Sequence, residues 1–296
     1  MSLKVGTRGS KLALAQTATV CRRMAALGIE AEQKIITTHG DADTTVPLHS
    51  IGRQGVFVRA LDDAILDGSI DCAVHSMKDI PAIRPSGLIT AAVLERDSPA
   101  DFFAYRTSRS AVRVVGTSST RRRAQLLRHD PDLIIRDLRG NVDTRIRKMT
   151  EGSYDAILLA EAGLTRLGIQ ITGERLPTET FVPSPNQGTI AVVSRTDPSL
   201  MEELSALDHP QTRTDVAIER AVMEQVGAGC YTPMGIYCRA GHLTAEILSL
   251  DGTRGERIET DVATIGEARL QGKALHTRAH HLIREAYTKL GISYEW

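Results

Sequence analysis

Short apolar runs along the chain alternate with stretches in which apolar residues recur every three or four positions, the pattern of strands interleaved with helices. Leu3-Lys4-Val5 opens as a strand and Gly6-Thr7-Arg8-Gly9-Ser10 turns. Lys11 to Leu27 then reads as a helix, with Ser10 as its N-cap and Gly28 as its stop. Lys34 to Thr38 is β-like. From His39 to Gly55 the periodicity is lost among four glycines and prolines, which predicts a mobile connection. Phe57, Val58, Leu61, Ala64 and Ile65 line one helix face that ends at Gly68. Cys72-Ala73-Val74 is the next buried strand. Val74-His75-Ser76-Met77-Lys78-Asp79-Ile80-Pro81 carries it out into polar residues, until a proline that offers no ladder donor stops it.

The pattern then repeats. Val112 to Val115 is an apolar strand, Gly116-Thr117-Ser118-Ser119-Thr120 a turn, and Arg121-Arg122-Arg123 opens a helix that runs to about Arg128. Gly68-Ser69-Ile70-Asp71, ahead of the Cys72 strand, has its counterpart in Gly152-Ser153-Tyr154-Asp155, ahead of Ala156-Ile157-Leu158-Leu159. Two similar α/β lobes follow from this, with a break near Glu95 to Ala100, where Arg96-Asp97-Ser98-Pro99 is polar and strand-breaking. Leu133-Ile134-Ile135 reads as another buried strand leading into Arg136 to Arg145, and Leu164 to Leu167 as a short helix. Phe181 to Gly188 is a turn-rich crossing, and Ile190 to Val193 returns to strand. Beyond a helical run from about Arg213 to Val226 and the stretch Gly227-Ala228-Gly229-Cys230-Tyr231-Thr232-Pro233, the chain changes character. Strands at Ile236 to Arg239, Leu243 to Ser249 and Arg257 to Val262 precede one helix from about Ile265 to Leu290, a separate α+β domain.

At 296 residues the chain has room for two or three domains. Its net charge of zero is unevenly spread: between Arg113 and Lys148 ten Lys and Arg stand against four Asp, +6 locally and therefore −6 elsewhere. A segment this basic inside a neutral protein predicts a polyanionic ligand. Nucleic acid fits poorly, because aromatics are only 4% and none interleaves Arg121 to Arg123. Met1 to Ser10 has no apolar core of signal-peptide length, and no run of about 18 apolar residues occurs, so the expectation is a cytoplasmic protein without a membrane partner. Four cysteines show no C-x-x-C spacing, and a reducing compartment argues against disulfides.

Strand, glycine-containing turn and helix N-terminus form the geometry that collects anions on backbone N–H groups, and Arg8 lies in the first such turn. Together with Arg121, Arg122, Arg139, Arg145 and Arg166 the two turns suit a multi-carboxylate or a phosphate ligand, since guanidinium forks match planar anions. Residue types leave that choice open. Neither turn is a Walker A loop, and no G-x-G-x-x-G follows a strand. Lys78 and Asp79 sit side by side at the carboxyl end of a strand; partly buried, one would hold an anion while the other meets a cation or an N–H donor. The alternative is an exposed pair of little consequence. Glycines around Cys230 permit close approach of another group, which suits a covalent ligand or a nucleophile, against a buried structural thiol. Cys21 and Cys72 read as structural. His276 and His280 have the i, i+4 spacing of a metal pair but no third ligand nearby, and read as a solvated helix face.

With these residues collected, the chain resembles the porphobilinogen deaminase (hydroxymethylbilane synthase) family over essentially its whole length. The likeness rests on Thr7-Arg8-x-Ser10, Gly55-x-Phe57, His75-Ser76-Met77-Lys78-Asp79-x-Pro81, Gly116-Thr117-Ser118-Ser119-x-Arg121-Arg122 and Leu138-Arg139-Gly140-Asn141-Val142-x-Thr144-Arg145. It continues through Ala162-Gly163-Leu164-x-Arg166-Leu167, Gln187-Gly188 and Gly229-Cys230-x-x-Pro233, all in one order.

The resemblance implies two α/β lobes like those of periplasmic binding proteins and a smaller C-terminal α+β domain. The expected divisions are 1–95 with 188–207, 96–187, and 208–296. It implies a monomeric transferase that joins four porphobilinogen molecules with release of ammonia, elongating a dipyrromethane cofactor tethered by a thioether to Cys230. Asp79 would be the catalytic carboxylate. Lys78, Ser119, Arg121, Arg122 and Arg145 would hold the cofactor's acid groups, and Arg8, Ser10, Arg139, Arg166 and Gln187 the incoming or growing rings. Phe57 would pack against a pyrrole. Each ring carries two carboxylates, which gives the basic segment a reason. Three positions depart from the family pattern: Gly52-Arg53-Gln54-Gly55 where Gly-Gly-Lys-Gly is common, Asn186 where a glycine usually precedes Gln-Gly, and the acid Glu161 in a place commonly neutral.

Overall fold

The computed structural model of the chain describes residues 2–37, 56–81, 84–227, 229 and 231–294. The connection from His39 to Gly55, with its departure at Arg53-Gln54, lies outside them, as do Cys230 and the side chain of Phe57. Two compact units are present, Met1–Asp97 with Gly188–Arg213, and Ser98–Gln187 with Thr214–Trp296.

In chain order the first stretch carries β1 (Leu3–Thr7), α1 (Lys11–Ala26), β2 (Ala31–Ile35), α2 (Val56–Leu66), β3 (Cys72–Ser76) and β4 (Leu88–Val93). Next come β5 (Asp101–Tyr105), β6 (Val114–Gly116), α3 (Thr120–His129), β7 (Ile134–Arg136), α4 (Val142–Thr150), β8 (Ala156–Ala160), α5 (Glu161–Leu167) and β9 (Gly173–Arg175). The chain then returns with β10 (Ile190–Arg195), α6 (Pro198–Ser205) and α7 (Pro210–Val226). It ends with β11 (Met234–Arg239), β12 (His242–Leu248), β13 (Gly255–Asp261) and α8 (Ile265–Leu290).

The first unit is built on a five-stranded sheet of order β2-β1-β3-β10-β4, parallel except for β10. Val5, Cys72, Val74, Ile190 and Val192 from its strands close on Val20 and Met24 of α1 and Leu200 and Leu204 of α6. Each of these large side chains contributes roughly 1.5–3 kcal/mol by leaving water. The second unit holds a sheet of order β7-β6-β8-β5-β9, again with one antiparallel strand, β5, set between two others. It also holds the C-terminal meander β11-β12-β13, whose core of Ile236, Leu243, Ala245 and Ile247 packs on Val222 and Val226 of α7 and on Leu275, Leu282 and Ile283 of α8. Two α/β lobes and a smaller α+β part are thus the observed fold class.

The echo seen in the sequence is a register-for-register duplication. Val5 and Gly6 pair with Cys72 and Ala73, and Val115 and Gly116 pair in the same way with Ala156 and Ile157. Both glycines are needed because a side chain crosses them: a Cβ on Gly6 would lie 2.3 Å from Ile70, and one on Gly116 would lie 2.9 Å from Tyr154. The Gly-Ser-x-Asp motif ends α2 and α4 with glycines at φ 77° and 87° and then uses its aspartate to pin the neighbouring strand. Asp71 Oδ2 accepts from Lys4 N at 2.8 Å, and Asp155 Oδ2 accepts from Val114 N at 2.8 Å and Arg113 N at 3.0 Å.

The structure corrects several expectations. The segment 133–135 is not a buried strand; β7 is an edge strand whose Ile134 is 52% exposed, because among the described residues β7 pairs with β6 alone. The residues after it form the helix α4, which buries Met149 and packs Val142 and Ile146 against the same core. The short strands β4, β5 and β9 and the helix α6 were not anticipated. β5 opens on a charged residue, and α6 is started by Asp197, whose carboxylate accepts from Leu200 N at 3.1 Å ahead of Pro198.

Candidate active site

In the first unit β1 ends on Thr7, fully buried, and the half-buried Arg8 follows before Ser10 caps α1 by accepting from Ala13 N at 3.3 Å. The strand β3 runs into a 3-10 turn, Met77–Asp79, fixed by Met77 N donating to Thr189 O at 2.9 Å and Ile80 N to Met77 O at 3.2 Å. Met77 and Ile80 are buried while Lys78 and Asp79 between them are exposed, so the turn anchors itself with apolar groups and presents the charged pair outward. The partial burial considered for the pair from sequence is not found. Sequence reasoning also missed the support beneath it: Gln16 of α1, buried, donates from Nε2 to Ser76 Oγ at 2.8 Å.

His75, one residue earlier, is buried, and burial together with the Arg84 and Arg8 guanidiniums brings its pKa down to about 3, so it is neutral at physiological pH. Arg84 forms a buried ion pair with Asp62 of α2.

In the second unit β6 delivers Thr117, Ser118 and Ser119 to the start of α3. Ser118 Oγ donates to Leu138 O at 3.0 Å and accepts from Leu138 N at 3.1 Å, which ties the turn to the Leu138-Arg139-Gly140-Asn141 segment. Ser119 Oγ caps the helix by accepting from Arg122 N at 3.4 Å.

Arg121 and Arg122, in the first turn, point inward and are 5% and 7% exposed. Both meet Asp101, which is fully buried at the head of β5. Arg122 donates from Nε at 3.0 Å and from Nη2 at 2.7 Å to Asp101 Oδ1, and from Nη1 to Leu158 O at 3.0 Å. Arg121 Nη1 forms an ion pair with Asp101 Oδ2 at 2.7 Å and donates to Val182 O at 2.9 Å. Gln187 adds Nε2 to Asp101 Oδ1 at 3.1 Å and to Pro99 O at 2.8 Å. Burial alone would raise the pKa of the Asp101 carboxyl; Arg121 and Arg122 outweigh it and hold the group below the usual carboxylate range.

Asp101 was not singled out from sequence. The signal available was an acid at the head of an otherwise apolar run, Asp101-Phe102-Phe103-Ala104, where only a partnered charge can be buried.

Arg139 and Arg145 flank Gly140, which at φ 113° turns the chain into α4. Arg145 is half-buried and donates from Nε to Gly140 O at 2.7 Å. Burial and then the charge of Arg122 bring its pKa down to about 10, and among the described residues no carboxylate is paired with it. The structure therefore brings Arg121, Arg122 and Gln187 together on Asp101, with Ser119 capping their helix and Arg145 near enough to feel the charge of Arg122. Arg166 sits half-buried on α5.

Two of the departures from the family pattern acquire a cause. Asn186 has φ 63°, the left-handed conformation that favours glycine and that Asn tolerates, and its N–H donates to the fully buried Glu219 Oε2 at 2.5 Å. Glu161 opens α5, accepts the Ser98 hydroxyl and pairs with Arg175 at 2.7 Å, so it holds the segment entering β5 against β9. His276 and His280 are half-buried rather than solvated. Their rings lie 5.5 Å apart, His276 Nδ1 is 2.8 Å from Val226 O, and among the described residues no group of side chains could hold a metal ion.

Comparison with known proteins gives the same direction as the residues. Residues 3–203 match the family model described as porphobilinogen deaminase, dipyromethane cofactor binding domain, and residues 214–280 match the porphobilinogen deaminase C-terminal domain. The chain is 50% identical over 274 residues to a probable porphobilinogen deaminase of Methanosarcina acetivorans, with 88% of this chain and 86% of that one covered. It is 47% identical over 302 residues to the Methanosarcina barkeri counterpart, covering 97% and 96%. With the porphobilinogen deaminase of Syntrophobacter fumaroxidans it shares 42% over 260 residues, covering 84% and 83%. With both of its parts matched in order and near-complete relatives at this identity, the chain belongs to the porphobilinogen deaminase family.

Proposed function

We propose that this protein polymerises four porphobilinogen molecules with release of ammonia to form hydroxymethylbilane, on a dipyrromethane primer attached through a thioether to Cys230. The observation that carries the reading is Arg145, half-buried beside the charge of Arg122, its pKa down to about 10, without a paired carboxylate among the described residues. Guanidiniums crowded in this way are stabilised by an anion of several carboxylates, and the cofactor's acid side chains fit that need.

Lys78, Ser119, Arg121, Arg122 and Arg145 are the residues that would hold the cofactor. When bound, dipyrromethane would supply the free α-carbon to which the first incoming ring is joined, so that the chain elongates from it. Arg8, Ser10, Phe57, Arg139, Arg166 and Gln187 orient the substrate or growing chain. Asp79 is the catalytic group: its carboxylate, exposed on a turn whose ends are anchored by Met77 and Ile80, steadies the positive charge that develops on pyrrole nitrogens and moves their protons. Asp101 keeps Arg121 and Arg122 charged and oriented.

The protein works as a monomer in the cytoplasm, a setting supported by the free thiols of Cys21, Cys72 and Cys238. Among the described residues no helix is long and apolar enough to cross a membrane. The working division is 1–95 with 188–207, 96–187, and 208–296. Intact mass tests the reading: a dipyrromethane-sized adduct must be present in the wild type, absent from Cys230→Ala, and accompanied by conversion of porphobilinogen to hydroxymethylbilane.

A further inference from the structure

Tyr287 lies on α8, far along the chain from any residue assigned above, yet it contacts both neighbours of Cys230. Its hydroxyl oxygen accepts the backbone N–H of Gly229 at 2.9 Å. Its ring meets that of Tyr231 edge to face, with centroids 6.0 Å apart and planes at 82°. The phenol is itself fixed, 7% exposed and backed on another side by Tyr294 at 4.8 Å. The chain on either side is pinned as well. Gly227 N donates to Met223 O at 3.2 Å, His276 Nδ1 lies 2.8 Å from Val226 O, and Thr232 N donates to Gly229 O at 3.1 Å. A short glycine-rich connection between α7 and β11 has many conformations to lose, and a rigid aromatic with one polar tip limits them at little entropic cost of its own.

We propose that Tyr287 is a positioning residue for cofactor attachment: by holding Gly229 and Tyr231 it sets the backbone from which the Cys230 thiol reacts. The inference rests on the assignment of Cys230 as the attachment point. In the attachment step the bond between the porphobilinogen methylene carbon and its amino nitrogen breaks, a bond between that carbon and Cys230 Sγ forms, and the thiol proton leaves with the amino group as ammonia. A thiol held at one place reaches the carbon more often than one on a free loop, the ordinary benefit of orientation.

The test follows cofactor-free protein incubated with porphobilinogen, with the adduct counted by intact mass, in the wild type, Cys230→Ser, Tyr287→Phe and Tyr287→Leu. Tyr287→Phe, which removes only the acceptor oxygen, should load roughly five- to tenfold more slowly, the kinetic weight of one hydrogen bond. Tyr287→Leu, which removes the ring as well, should load more slowly still. In parallel, iodoacetamide labelling mapped to peptides should change in rate at Cys230 while Cys72 and Cys238, which are buried, stay protected. Loading of Tyr287→Phe at the wild-type rate overturns the proposal. So does slow loading accompanied by labelling of Cys72 and Cys238, because the tyrosine would then act only on global stability. If the wild type itself gains no adduct, or Cys230→Ser gains one, the assignment of Cys230 fails instead, and the two failures are distinguishable.

Discussion

Replacing Asp101 with asparagine tests the charge arrangement of the second unit. The side chain is fully buried and faces two guanidiniums, within 2.7 Å of Arg121 Nη1 and 2.7 Å of Arg122 Nη2, with Gln187 at 3.1 Å. Asparagine keeps the shape and one acceptor oxygen but removes the anion, leaving two buried cations without the carboxylate they share. Removing one partner of a buried ion pair costs about 3–5 kcal/mol, a large part of the roughly 5–15 kcal/mol that separates folded from unfolded domains. At about 2–4 °C per kcal/mol for a unit of this size, the transition should fall by about 6–20 °C.

The carboxyl's pKa is lowered in the fold, so its contribution is complete above the unfolded value of about 3.9 and is lost as pH falls through the folded value. The gap between wild type and variant should therefore stay constant from about pH 5 to 8 and close only in acid. Calorimetry and urea unfolding of cofactor-free protein measure it. Adding Arg122→Met to the variant should cost less than it does in the wild type, since the orphaned charge is then removed. A melting point within about 2 °C of the wild type across that range, smaller than the stated slope allows, would refute the reasoning.

Asp79→Ala should fold and load cofactor normally while turnover falls on the order of a hundredfold or more; single-turnover ammonia release reads this directly, and full activity would remove Asp79 from the mechanism. Arg145→Lys keeps the charge but loses the planar fork, so cofactor loading measured by intact mass should slow rather than be preserved. Asn186→Ala should lose about 1–2 kcal/mol in urea unfolding, because alanine is strained at φ 63°, whereas Asn186→Gly should stay near the wild type. His75 should show no imidazole titration by NMR between about pH 5 and 8, its ordinary value being near 6.5. As pH drops below that ordinary value the unfolded chain takes up a proton that the buried ring refuses, so stability declines toward acid until the folded value near 3 is reached.

Much of this was visible in the sequence, for definite reasons. Helices with a capping serine and a terminal glycine, such as α1, carry their own punctuation, and α8 was read at its observed limits of Ile265 and Leu290 because Thr264 and Gly291 bracket an unbroken apolar stripe. The duplicated Gly-Ser-x-Asp motif revealed two lobes because its glycine and aspartate are required by backbone geometry. What escaped was structure decided by distant neighbours. β5 is a strand because β8 and β9 lie on both sides of it, not because Asp101 favours one. Ile134 is apolar yet exposed because, among the described residues, β7 has a strand neighbour on one side only. At the site, the arginines announced themselves by type, whereas Asp101 and Gln16, which orient the groups around them, look ordinary until their partners are known.

The matched registers of the two lobes allow their residues to be superposed on paper, and the superposition shows where the lobes differ. Ser10 and Ser119 cap corresponding helices, so Arg121 and Arg122 occupy the places that Leu12 and Ala13 fill in the first lobe. Counting from the paired strands β3 and β8, Lys78 and Asp79 occupy the places of Ala162 and Gly163. The two lobes thus share a register but carry charge at different corresponding positions: the first has Lys78 and Asp79 after its strand and Leu12 and Ala13 in its first helical turn, the second Arg121 and Arg122 in its first helical turn and Ala162 and Gly163 after its strand. Exchanging residues between these corresponding positions is therefore the natural route for moving charge from one lobe to the other.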